Sequence, residues 1–272
     1  MSNQSPKIPP QQPKITVLIA NYNYQEWVVQ SVDSALNQTY PNIDIVLVDS
    51  NSTDASVKNV NDAYFKGRPH ENSKFKDYPL KVTTIKNSNG EDVKLSLIRL
   101  PEKLGPSFAR NVGINYAIDD SFAFAILDAD DAMFPMKIEK LAKEMFMLPK
   151  LIGVVYADYE ALNVADGISV IEHKKCYSQM ELLNNCIVHS GSLVSTAALR
   201  AIQSQEEFYD NQLLVAEDWD LWIRISRSHM MTHVPESLTL VRVSPKNTTA
   251  TVNSTIWNSC WQRIRDKIEG KI

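Results

Sequence analysis

The chain has 272 residues, of which 44% are hydrophobic and 22% charged; this is the length and make-up of a soluble globular protein with one large domain or two small ones. Its net charge of −4 argues against a general nucleic-acid binder, which carries a basic surface. Cys176, Cys186 and Cys260 are odd in number and far apart, which fits a reducing compartment better than a disulfide scaffold.

The opening MSNQSPKIPPQQPK is polar and Pro-rich. It lacks the apolar region of a secretory signal, and a loose tail is expected over 1–13. ITVLIA (Ile15–Ala20) reads as a buried strand entering the turn NYNYQEW. From Glu26 to Gln38, Val28, Val32, Ala35 and Leu36 fall at helical spacing. IDIVLVD (Ile43–Asp49) is a second buried strand. Ser52, Thr53 and Asp54 then offer caps to a following helix. This strand–helix alternation with continuous apolar strands predicts an α/β fold with a mostly parallel sheet covered on both faces.

Residues 66–92 are polar and irregular. KVTTIK and VKLSLIR around Asn89-Gly90 predict a hairpin. In LGPSFARNVGINYAI, Gly105 closes a loop and Pro106 suits the first turn of a helix. FAFAIL (Phe122–Leu127) is a third buried strand, and KIEKLAKEMF after Pro135 a helix. Further on, IGVVYADYEAL and ISVIEH flank the turn pair Asp166-Gly167. IVHSGSLVS predicts a strand, EDWDLWIRIS a helix, LTLVRV a strand and TIWNSCWQRIRDKIE a C-terminal helix. No run reaches the length of a membrane-spanning helix.

Ligands of open α/β sheets bind beyond the carboxyl ends of the strands. Three strands here end on polar groups: Asn21-Tyr22-Asn23, Asp49-Ser50 and Asp128 to Asp131. Asp128, Asp130 and Asp131 crowd like charges, which raise one another's pKa unless a cation sits among them. Either a turn spreads these acids into solvent or something positive belongs there.

Together these segments resemble the family 2 glycosyltransferases. ITVLIANYN is similar to that family's opening strand and Tyr-Asn turn, and SVDSALNQTYPNIDIVLVDSNSTD to the run that follows. LGPSFARNVGI resembles its Ala-Arg-Asn helix start, ILDADD its DxD segment and EDWDLWIR its Glu-Asp-Trp-Asp helix. The resemblance covers about Lys14 to Val243. It implies a GT-A fold, with a mixed, mostly parallel central sheet flanked by helices and a Rossmann-like nucleotide-binding half. It divides the chain into a catalytic domain over 14–244 and a C-terminal helical segment over 245–272. Within the domain, 14–131 would bind the donor, with 66–92 an insertion relative to the family's usual spacing, and 132–244 would bind the acceptor. The implied reaction is transfer of a sugar from a nucleotide-sugar, with UDP the expected nucleotide, to an acceptor hydroxyl with inversion.

The resemblance also assigns roles. Asp130 is the expected ligand of a divalent cation, Mn²⁺ or Mg²⁺. Asp128 faces the ribose or shares the metal shell, while Asp131 caps the next turn. Asp218 is the general base and Glu217 its catalytic or positioning neighbour. Asp49 takes the nucleotide base, with Tyr22, Asn23 and the backbone at Ala20 lining the same pocket. Arg110 pairs with a pocket carboxylate or approaches the nucleotide. Trp219 and His189 are expected on the acceptor side, with Trp222 in the core and Asp220 structural. Where the family often carries Arg-x-His after its last strand, this chain reads VRVSPKN, with Ser244 at the His position; Lys246 is a candidate substitute for the charge.

The expected partners are a nucleotide-sugar and a glycan or lipid-linked acceptor, in surface-polysaccharide or glycan synthesis, with no nucleic acid. The expected location is the cytoplasm; contact with the inner membrane face and the oligomeric state stay open. The competing reading is a catalytically silent relative that binds nucleotide or glycan. A phosphatase-type DxD is disfavoured by its position far into the chain and by Ala132. A nucleotidylyltransferase lacks its Gly-rich basic loop, since NYNYQEW has neither glycine nor base.

Overall fold

The first strand, β1 (Ile15–Asn21), is apolar on both faces because both are covered. Val17 and Ile19 join one core cluster and Leu18 the other, the alternation a strand imposes. The computed structural model describes residues 12–205 and 207–272. Most of the tail expected over 1–13 therefore lies outside the described residues. Its last two residues are held, however: Tyr40 donates to the carbonyl of Pro13 and Asn42 to that of Gln12.

In chain order β1 is followed by α1 (Val28–Leu36), β2 (Ile43–Asp49), α2 (Ser56–Val60), β3 (Glu71–Phe75), β4 (Tyr78–Lys86), β5 (Asp92–Arg99), α3 (Gly105–Ala117) and β6 (Ala123–Asp128). Then come β7 (Ala132–Met133), α4 (Lys137–Met147), β8 (Ile152–Asn163), β9 (Ser169–Glu172), α5 (Gln179–Asn184), β10 (Leu193–Ser195) and α6 (Thr196–Ile202). The chain closes with α7 (Glu217–Ile225), β11 (Met230–Val243), α8 (Thr248–Thr251) and α9 (Ser254–Ile268).

One sheet runs in the order β3-β4-β5-β2-β1-β6-β10-β8-β11-β7, with β9 paired to β8. Its centre, β5-β2-β1-β6, is parallel. From β1 the chain steps outward to β2 and β5, then returns to place β6 on the other side of β1. The strand order therefore reverses between β1 and β6, where an open α/β sheet forms its crevice. Side chains of α1, α2 and α4 fill the core on one face of the sheet, and those of α3, α6, α7 and α9 on the other. Helix α3 lies close on β1 because residue 113 is glycine; a Cβ there would stand 2.2 Å from Leu18 Cδ1.

Several elements differ from the sequence expectation. The segment 66–92 is not irregular throughout: β3 pairs antiparallel with β4, which pairs with β5 around the expected Asn89-Gly90 turn. Every residue of β3 but Phe75 is exposed, so this edge strand carries no apolar alternation to read. IVHSGSLVS is strand only at Leu193–Ser195, where it pairs antiparallel with β6 and β8. LTLVRV is the second half of a longer β11, which register shifts divide against β8. The expected boundary between 131 and 132 falls inside the shared sheet. Helix α9 packs on the core through Cys260 and Ile264. Its Lys267 pairs with Asp210 and Asp220, and Arg263 with Asp210.

Candidate active site

Parallel register brings the ends of three strands level: Asn21 lies opposite Asp49, and Ala20 opposite Asp128. Beyond them opens a cavity of about 1340 Å³, lined by Ala20, Tyr22, Asn23, Asp128, Asp130 and Asp218 among others. Arg110, Glu217, Trp219 and His189 also line it. Of the site residues expected from sequence, only Asp49 is not in its wall.

Helix α3 delivers Arg110 to the centre. Its Nη2 donates to Asp128 Oδ1 at 2.6 Å and its Nη1 to Glu217 Oε1 at 2.5 Å. Burial works against the charge, but Asp128 and Glu217 outweigh it and hold the guanidinium protonated. One buried cation thus ties the end of β6 to the start of α7.

The strand-end acids are gathered, not spread into solvent. Asp130 is 4% exposed, accepts from Asn247 Nδ2 at 2.8 Å, and is pushed up to about 7 by burial and then by Asp128. Asp131 does not cap the next turn. It is buried and accepts from the Arg242 backbone N–H at 2.9 Å, fastening β6 to β11, and burial followed by Asp130 and Asp128 raises its carboxyl well above the usual range. Arg242 donates to the Asp130 carbonyl and to Gln30 Oε1. Beneath them Lys137 is buried, bonded to Thr239 Oγ1 at 2.7 Å, and pulled down to about 8 by burial against the pull of Asp131 and Asp128.

Asp218 sits in the first turn of α7, after Ala216 in a left-handed conformation with φ 58°. Its Oδ1 accepts from the Trp219 N–H at 2.8 Å. Burial, then Glu217, pushes its carboxyl up to about 7 against the attraction of Arg110, which leaves it able to accept a proton near neutral pH. His189 stacks on Tyr159 at 4.5 Å and accepts from the Gly191 N–H. Burial, followed by Lys137 and Lys174, pulls its pKa down to about 3, so it is neutral.

Further residues depart from their expected places. Asp49 is fully buried, and its carboxylate takes Asn21 Nδ2 at 2.7 Å, Ser52 Oγ at 2.5 Å and the Ser52 N–H at 3.0 Å. It locks the β1 and β2 ends together behind the wall formed by Asn21 and Ser50. Trp219 is 8% exposed and spends its indole N–H on the Leu182 carbonyl at 2.6 Å, which leaves little ring face for a sugar. Lys246 lines the cavity but pairs with Glu26 at 3.1 Å, and Ser244 bonds within its own turn. Asn247, not either of these, reaches Asp130. Asn23, also left-handed at φ 60°, staples the turn through Thr53, while Tyr22 carries Lys103 over its ring at 4.3 Å. Trp222 is fully buried, and Asp220 pairs with Arg224 and Lys267.

Sequence reasoning missed Asn247, Arg242, Lys137 and Tyr24; Tyr24 lines the cavity with Asp130, and burial raises its pKa. Among the described residues no three His, Cys, Asp or Glu side chains could enclose a metal ion by themselves. Asp128 and Asp130 nonetheless present hard oxygen donors to one cavity. That set fits a Mg²⁺ or Mn²⁺ ion whose remaining ligands are phosphate oxygens and water.

The fold is the GT-A fold of solved glycosyltransferases. The family described as Glycosyl transferase family 2 matches residues 16–202, and the chain belongs to it. An uncharacterized glycosyltransferase of Rickettsia bellii is 26% identical over 241 residues, covering 87% of this chain but 30% of that protein. One of Haemophilus influenzae is 29% identical over 172 residues, covering 63% and 57%. The chain spans about a third of the first of these relatives. Among solved structures, S. aureus TarS 1–349 in complex with UDP superposes with a TM-score of 0.61 at 17% identity, covering 85% of this chain and 61% of that one. Mannosyltransferase PcManGT from Pyrobaculum calidifontis, in complex with GDP-Man and Mn²⁺, gives 0.58 at 17%, covering 91% and 62%. Among the described residues no helix is long and apolar enough to cross a membrane.

Proposed function

We propose that the chain transfers a sugar from a nucleotide-sugar, with UDP as the nucleotide, to an acceptor hydroxyl with inversion. The observation that carries this reading is one cleft lined by both a strand-end acid pair and a base of raised pKa, with Arg110 joining Asp128 to Glu217, the base's neighbour. Asp218 accepts the acceptor's proton as its oxygen attacks the anomeric carbon from the face opposite the leaving group. The bond from that carbon to the diphosphate oxygen breaks, and its electron pair leaves with the nucleotide. A divalent cation, Mn²⁺ or Mg²⁺, held by Asp130 and Asp128 would neutralise charge on the departing diphosphate. Glu217, fixed by Arg110, positions the acceptor beside the base. The β1 end at Ala20, Tyr22 and Asn23 receives the nucleotide.

UDP in one structural neighbour and GDP-Man in another support a nucleoside-diphosphate donor here and leave two bases to test. The biological setting we assign is glycan or surface-polysaccharide synthesis at the cytoplasmic side, by family analogy. The test is calorimetric titration of UDP and GDP, each with Mn²⁺ and with chelator. Metal-dependent UDP binding is expected. Binding of GDP alone overturns the base assignment, and UDP binding unchanged by chelator overturns the metal assignment. Nucleotide binding with no transfer to a broad acceptor panel favours the silent-relative reading.

A further inference from the structure

Helix α9 lies outside the span matched by the family, yet it lines the same cleft as Asp218 through Trp257, Trp261, Arg265 and Ile268. These residues follow one another at intervals of four, four and three, which places them on a single helix face. The neighbouring face carries Cys260 and Ile264, which anchor the helix to the core. The cleft-facing side is thus held rigidly by the fold, with Trp257 and Ile268 partly packed on the core and Trp261 and Arg265 exposed.

Two features of that face are unusual. Trp261 is 42% exposed, and its ring stands edge-on to Trp257, with centroids 6.1 Å apart at 71°. The pair offers two large apolar surfaces, nearly at right angles, to the cavity. Arg265 is exposed, and its guanidinium has no hydrogen bond or ion pair among the described residues. Its neighbours are spent differently: Arg263 and Lys267 bind Asp210 and Asp220, and Glu269 is paired with Lys271. A helix that uses its other cations for packing leaves this one facing the cleft.

We propose that this face of α9 is an acceptor subsite for an anionic saccharide. One sugar ring lays its apolar face on the Trp257–Trp261 pair, and a carboxylate or phosphate on the acceptor takes Arg265 through paired N–H donors. The inference rests on the glycosyltransferase reading above. It adds the chemical class of the acceptor and the residues that select it.

The test uses the full chain with tryptophan fluorescence and saturation-transfer NMR. The probes are a galacturonate trisaccharide, a phosphorylated mannose trisaccharide, neutral cellotriose and inorganic phosphate; UDP with Mn²⁺ is titrated separately. At least one anionic trisaccharide is expected to bind about tenfold more tightly than cellotriose; which one it is tells carboxylate from phosphate. Trp261→Ala should abolish saccharide binding. Arg265→Gln should remove the preference for the anionic probe without touching cellotriose, and Arg265→Lys should restore part of it. UDP affinity should be unchanged in all three variants. Equal affinity for cellotriose and the anionic probes overturns the proposal, as does a preference that survives Arg265→Gln. Inorganic phosphate that binds as tightly as the trisaccharides overturns its saccharide part. UDP binding with no saccharide binding sinks this subsite alone. Anionic saccharide binding without nucleotide binding keeps the subsite and removes the transferase reading.

Discussion

Asp218 carries the sharpest expectations at the residue scale. Asp218→Asn should lower transfer by about 10²–10⁴-fold and leave nucleotide affinity nearly intact, which steady-state kinetics and calorimetry separate. In the proposed mechanism the active form is the carboxylate, so kcat/KM should rise with pH through about 7. The sign for stability is opposite. A carboxyl raised from 3.8 to about 7 in the folded state adds stability below its ordinary value and loses it as pH climbs through 7. Asp218→Asn should therefore unfold at higher temperature than the wild type at pH 8, and a lower Tm there would contradict the raised pKa. Ala216 offers a second case. Non-glycine residues pay for the left-handed region, so Ala216→Gly should stabilise by roughly 0.5–1 kcal/mol in urea denaturation. Much of this site was legible: Asp128, Asp130, Glu217, Asp218 and Arg110 sit in short runs whose order carries the information. Asn247 and Arg242 reach Asp130 from 117 and 112 residues away, and such pairings leave no local trace. Asp49 was misplaced because a strand-end acid reads the same whether it faces the ligand or ties two strands together.

Elements were readable where both faces of a strand or one face of a helix is apolar. β1, β2, β6, α3 and α7 meet that condition. β3 does not, because an edge strand in contact with water needs no apolar face. The first six residues of IVHSGSLVS bend away from the sheet to carry His189 and Ser190 into the cleft, and a short apolar run could not disclose that. The seat of α3 on β1 makes its own prediction. Gly113→Ala forces a methyl against Leu18 and Val48 and should cost about 1–3 kcal/mol, measured by chemical denaturation. An unchanged midpoint would mean that Leu18 can turn aside at no cost.

For the whole molecule, the parallel centre of the sheet is the expected last region to open. Hydrogen exchange should find β1, β2 and β6 most protected and β3 least, since β3 is exposed at the edge. Comparable protection of β3 and β1 would contradict that order. The sequence pattern disclosed the alternating α/β layout, but not that residues 14–131 and 132–244 share a single sheet. That sharing has a mechanical consequence. Because β10 binds both β6 and β8, no hinge lies between the two walls of the cleft, and they cannot swing apart as rigid bodies. On the proposed function, substrate entry and product exit would fall to loops at the rim, such as 173–192. Acting as proposed, the chain would then work as a fixed anvil under a movable rim, and turnover would follow how fast that rim lifts.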